Sequence, residues 1–141
     1  MPATLGLALA VSMALSGHGQ VPAVLTPPPM PQSQSVEAYV REYFKDIPVM
    51  ADIASCESHF RQFEKDGTVL QNENSTAVGV FQIMSSIHKD LADQNLGLDI
   101  NTLEGNVAYA RHLYEEHGTS PWNASKKCWN KVKGPKVALA K

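Results

Sequence analysis

The chain has 141 residues, enough for one domain of ordinary size. Apolar residues make up 43% and charged residues 18%, which excludes both a disordered polyelectrolyte and a chain embedded throughout in a membrane. The net charge of -2 hides a segregation: residues 37–125 carry all 14 acids and 6 bases, whereas residues 126–141 carry six lysines and no acid.

Residues 3–15 (ATLGLALAVSMAL) form an apolar stretch of signal-peptide length, short of the roughly 20 residues a spanning helix needs. No Lys or Arg precedes it, and the first basic residue is Arg41, so the usual positive flank is missing. Ala14 and Ser16 stand at the two spacings a signal peptidase reads, so residues 1–16 are expected to be a signal peptide and the protein to be exported, secreted or held in the cell envelope. Residues 17–35, rich in Pro, Gly and Gln with three consecutive prolines, read as an extended linker.

Val36, Tyr39, Val40, Tyr43, Phe44 and Ile47 repeat at helical spacing, which predicts a helix capped by Ser35 and buried along that stripe. Pro48 ends it and suits the first turn of a second helix, in which Met50, Ile53 and Ala54 lead to Cys56 and Glu57. Glu57 then sits near a helix C-terminus, where the dipole disfavours a negative charge and raises the carboxyl pKa. Residues 61–75 are polar, with a turn at Asp66-Gly67 and a short strand at Thr68 to Leu70, so a loop or small hairpin is expected. Leu91, Leu96 and Leu98 fall in a short helical or irregular stretch. Asn101 and Glu104 then have capping-box spacing before a helix with Leu103, Val107, Ala110 and Tyr114 on one face, stopped by a left-handed Gly118. The fold class is therefore mainly α.

Glycoside cleavage needs a carboxylic acid still protonated near neutral pH and held against the bond. Glu57 is the candidate, although an acid between a helix and a polar loop is by itself more often a solvated surface group. Its company is distinctive: Glu57-Ser58-His59-Phe60 followed by Ala77-Val78-Gly79-Val80-Phe81-Gln82-Ile83-Met84 resembles the catalytic and cleft motifs of the soluble lytic transglycosylase and goose-type lysozyme superfamily. Asn106-Val107 with Ala110 and Leu113-Tyr114 resembles a later helix of that superfamily, so the likeness covers about residues 36–129.

The resemblance implies a lysozyme-like α+β fold over residues 36–130, with a small loop or β-hairpin region lining a glycan cleft; residues 131–141 read by their charge as a basic tail. It implies Glu57 as general acid and then base, Ser58 near the cleft and Gln82 on the sugar. Gly79, Phe81 and Ile83 around Gln82, and Tyr109 as an aromatic able to stack on sugar, complete the expected substrate-binding set. Without the glutamate motif, Phe81 and Ile83 would read as core flanking one polar outlier. Trp122, Trp129 and Tyr114 are also of a kind that stacks on sugars, but on helical segments such residues are more often core.

A hydrolase needs a second carboxylate, whereas a transglycosylase lets the substrate's own 6-hydroxyl attack and leaves a 1,6-anhydro end. Goose-type enzymes place an Asp two residues after the motif glutamine; here that position is Met84. The reading is thus a lytic transglycosylase cutting the MurNAc-GlcNAc β-1,4 bond of peptidoglycan. The alternatives are a hydrolytic lysozyme using Asp66 or Glu73, and a non-catalytic peptidoglycan-binding domain of the same fold. An adaptor working through the linker and tail has composition alone behind it.

Cys56 and Cys128 are an even count in a chain read as exported, so a disulfide is expected, pinning the Ser125 to Trp129 segment beside the Glu57 helix. Two free thiols are the alternative; a zinc site using Cys56, His59 and Cys128 has a ligand spacing but no fourth ligand. No metal and no cofactor are expected. The partner is peptidoglycan glycan, with no nucleic acid, no stable membrane span and a monomeric state. The tail lysines can touch an anionic surface, or be a solvated run.

Overall fold

The computed structural model describes residues 26–132; the signal peptide read at 1–16, the linker up to residue 25 and the tail from residue 133 lie outside the described residues. Among the described residues the protein is mainly helical with one small antiparallel sheet, in the order α1 (Val36–Tyr43), α2 (Val49–Ser58), β1 (Ala77–Val78), β2 (Ile83–Met84), α3 (Ser85–Leu96), α4 (Leu103–His117), a 3-10 segment (Ser120–Ser125) and α5 (Lys126–Trp129). Ala77 faces Met84 and Val78 faces Ile83 in the sheet. Among the described residues no helix is long and apolar enough to cross a membrane.

Ser35 caps α1, its hydroxyl accepting from Ala38 N–H at 3.1 Å. The helix stops at Tyr43, short of the predicted stripe's end at Ile47, because Phe44 leaves helical geometry and Pro48 excludes Ile47 from it. The apolar pattern survives this break: Phe44 is fully buried and Ile47 packs against the core. Arg111 on α4 closes the corner, forking onto Asp46 at 2.8 and 2.9 Å and donating to Tyr43 O, while its guanidinium lies over the Tyr43 and Phe44 rings. The same guanidinium holds the Asp46 carboxyl down to about 2.

The start of α4 lies one residue beyond the expected cap. Thr102, not Asn101, accepts from Gly105 N–H at 3.0 Å. Glu104 therefore does not reach back to a cap but accepts from Met30 N–H at 3.2 Å. That bond, with the Tyr39 hydroxyl donating to Pro28 O at 3.0 Å, docks the proline segment against the domain, and Pro27 is buried. The described end of the expected linker is thus a strap on α1 and α4, since two side chains satisfy a backbone that prolines leave without its own ladder. Burial, then the Glu104 charge, pushes the Tyr39 phenol up to about 12, so it remains a donor.

The stretch holding Leu91 and Leu96 is a regular 12-residue helix, closed by Gly97 in the left-handed region. Gly118 ends α4 at φ 60° and ψ -138°, a positive φ as expected but outside the left-handed helical well. The loop or small hairpin expected over 61–75 is a loop held by isolated bridges, Phe63 to Val69 and Gln71 to Val78, with Glu64 N–H donating to Thr68 O.

The core runs as a chain of edge-on aromatic contacts, Phe44 to Phe81 at 5.3 Å and Phe81 to Trp122 at 6.0 Å. Trp122 and Trp129 are both core, as helical placement suggested; each indole N–H is satisfied, by Phe81 O and by Trp122 O. Cys56 and Cys128 are bridged, with Cα atoms 6.0 Å apart, which ties α5 to α2.

Candidate active site

Glu57 is the penultimate residue of α2, whose last turn carries no basic residue. His59 ends the helix in the left-handed region at φ 54° and donates its N–H back to Ser55 O, turning the chain sharply away behind the acid. Glu57 is half-buried, and burial raises its carboxyl above the ordinary range; the Ser125 hydroxyl, donating to Oε1 at 2.5 Å, works in the opposite direction and is the weaker influence. The negative end of the α2 dipole adds to the effect of burial. An acid in this setting keeps its proton to higher pH than a solvated glutamate.

Gln82, which lines the same cavity as Glu57, has a φ of 49° that places it in the left-handed region. Such a residue persists only where its neighbours over-determine it. They do so through side chains clamping the irregular backbone between β1 and β2. Gln62 Oε1 accepts from Val80 N–H, and its amide donates to Asn101 O. Asn106 Oδ1 accepts from Phe81 N–H while its amide donates to Val78 O and Ile100 O. Ser58 Oγ lies 2.8 Å from Val80 O, and Trp122 donates to Phe81 O. The Gln82 amide itself donates to Gly79 O at 2.9 Å. Among the described residues every buried side-chain polar atom has a partner, as a rigid wall requires.

Glu57 and Gln82 line one surface cavity of about 300 Å³ together with Arg61, Asn72, Glu73 and Asn74. The lining is mostly polar, with amides able both to donate to and accept from hydroxyl groups. Of the other expected site residues, Ser58, Phe81 and Ile83 are buried and do not line the cavity. At Gly79 (φ 72°) the close approach is to buried amides: an added Cβ would lie 2.6 Å from Gln62 Oε1 and against Asn106 Nδ2. Gly79→Ala is therefore expected to cost about 2–4 kcal/mol, from the positive φ and the displaced amide bonds. A urea titration checks this; an unchanged midpoint would contradict the clamp.

The structure does not bring Tyr109 to this cavity. Its ring is buried, its hydroxyl is 3.0 Å from His88 Nδ1, and it lines a separate cavity with His88 and His112. Asp66 is also away from the cavity lining, bound to the Thr68 hydroxyl and N–H, which hold its carboxyl below the ordinary range. Glu73 does share the cavity with Glu57, while Met84 is exposed at the end of β2. The bridge takes up both sulfurs, so the Cys-x-x-His spacing of Cys56 and His59 has no thiolate to offer a metal.

Five contributors escaped the sequence reading: Ser125, Gln62, Arg61, Asn72 and Asn74. Ser125 had a signal, standing one helical turn before Cys128 in the segment expected beside α2. Gln62 had none, being one polar residue in a polar run. Arg61, Asn72 and Asn74 looked like ordinary solvated loop. Comparisons with family models, with curated proteins and with solved structures found no match to this chain.

Proposed function

We propose that this protein is an exported enzyme of lysozyme-like α+β fold that cleaves the glycan strands of peptidoglycan at the MurNAc-GlcNAc β-1,4 bond, acting as a lytic transglycosylase. One observation carries the reading. Glu57, the acid singled out by its motif, has a carboxyl raised by burial and opens on a polar cavity that Gln82 also lines. In the proposed reaction Glu57 donates its proton to the glycosidic oxygen as the C1–O bond breaks. The 6-hydroxyl of the same sugar then bonds to C1 and returns its proton to the Glu57 carboxylate, leaving a 1,6-anhydro end. The bond broken is exchanged for one within the sugar, so no water and no second carboxylate enter.

A hydrolytic reading has one specific observation in its favour, the presence of Glu73 in the same cavity. Digestion of purified cell walls in heavy-oxygen water separates the two routes, since hydrolysis places solvent oxygen in the new end and anhydro formation does not. The expected result is unlabelled anhydro ends as the main product of both wild type and Glu73→Gln. Label in most ends, suppressed more than about tenfold in Glu73→Gln, would replace the transglycosylase by a lysozyme and leave Glu57 as its acid.

A further inference from the structure

The Ser125 hydroxyl has one proton and two acceptors within reach, Glu57 Oε1 at 2.5 Å and Trp122 O at 3.2 Å. When Glu57 is ionised, the charge-assisted contact is the stronger and holds the proton. When Glu57 is protonated, two arrangements are available. A proton on Oε1 would oblige Ser125 to become the acceptor and turn its own proton to Trp122 O. A proton on Oε2 lets Ser125 keep donating to Oε1 unchanged. Only the second preserves the stronger contact in both protonation states.

The position of Ser125 is itself fixed from both sides. It closes the 3-10 segment that holds buried Trp122, and it precedes α5, where Cys128 is bonded to Cys56 and Trp129 is buried with its indole N–H on Trp122 O. Cys56 is the residue before Glu57. Donor and acceptor are thus anchored to one another through a covalent link, although they are 68 residues apart in sequence.

We propose that Ser125 is a positioning residue that occupies Oε1 of Glu57 and directs the exchangeable proton to Oε2, the oxygen left to the cavity. The proposal rests on the reading of Glu57 as the acid and then base of glycan cleavage. One oxygen then serves both steps: Oε2 gives its proton to the leaving oxygen and receives the 6-hydroxyl proton afterwards, with no rotation of the carboxyl between them. Ser125 neither gains nor loses a proton and touches no substrate.

The test compares wild type, Ser125→Ala and Ser125→Thr by carbon NMR titration of the Glu57 carboxyl and by pH–rate profiles on purified peptidoglycan. Ser125→Ala removes a donor that favours the ionised form. Its Glu57 should titrate at higher pH, the alkaline limb of its rate profile should move the same way, and kcat should fall about tenfold with KM little changed. Ser125→Thr, which keeps the hydroxyl, should recover both the titration and kcat. An unchanged Glu57 titration in Ser125→Ala would overturn the proposal, as would a folded Ser125→Thr no better than Ser125→Ala. Because the titration needs no turnover, a protein that cuts no wall but shows the upward shift in Ser125→Ala would sustain the Ser125 contact and refute the enzyme reading.

Discussion

Glu57→Gln is expected to lower cleavage of peptidoglycan by at least about a hundredfold while the fold persists, because the amide has the shape of the acid and no proton to give. The same substitution should raise the melting temperature at neutral pH. In the folded state burial lifts the Glu57 carboxyl above its ordinary range, so the folded protein holds the neutral form preferentially. The linked contribution to stability is fully present below the unfolded-state pKa and is lost as pH rises through the raised folded-state value. Glutamine never ionises and avoids that loss, and its Oε1 can still accept from Ser125. The gain should therefore grow as pH rises above the unfolded-state pKa, be complete above the folded-state pKa of Glu57, and vanish in acid. Thermal melts of both proteins across pH, with cleavage assays alongside, check the two halves together. A Glu57→Gln protein less stable than wild type at neutral pH would contradict the burial cost assigned to the carboxyl.

Removing the Cys56–Cys128 bridge should have the largest effect on stability. The bridge spans 72 residues, and closing a loop of that size constrains the unfolded chain by about 4 kcal/mol in the chain-entropy model. Loss on that scale should lower Tm by on the order of 15 °C or more for a domain of this size. Activity should fall with it, for a reason separate from stability. Cys56 precedes Glu57, and Cys128 follows Ser125 by three residues, so the bridge holds the two partners of the Glu57–Ser125 bond in register. Melting scans with and without reductant, and of a Cys56→Ser/Cys128→Ser double variant, measure the first effect. Assays well below the lowered melting temperature measure the second. A reduced protein with unchanged Tm would remove the bridge from the account; a reduced, folded and fully active protein would remove its link to the site.

What the sequence disclosed follows from how local the cause was. The α1 stripe, the Ser35 cap and the placement of Glu57 near the end of α2 depend on residues a few positions apart, and helical periodicity exposes them. The disulfide was legible from cysteine count and compartment. The shift of the α4 cap from Asn101 to Thr102 was not, since two good capping residues stand side by side and tertiary contacts decide between them: Asn101 gives its carbonyl to Gln62. Nor was the docking of the proline segment, which depends on Tyr39 and Glu104 meeting it from two helices. Gly79 was picked out for close approach, but the approaching groups, Gln62 and Asn106, come from a loop and from α4. In the polar clamp around Val78 to Phe81, Asn106 belonged to a recognisable motif, whereas Gln62 is in one dimension an ordinary amide. Tyr109 shows the converse: aromatic character suggested sugar stacking, whereas its place on the buried face of α4 turns it to His88.

Whether Glu57 drives glycan cleavage is tested by the release of soluble fragments from purified peptidoglycan by the oxidised wild-type protein and by Glu57→Gln, followed by mass identification of the new sugar ends. Fragments with 1,6-anhydro ends are expected from the wild type and essentially none from the folded variant. Equal release by the two proteins, or no release by a wild type with its disulfide intact, would contradict that role of Glu57.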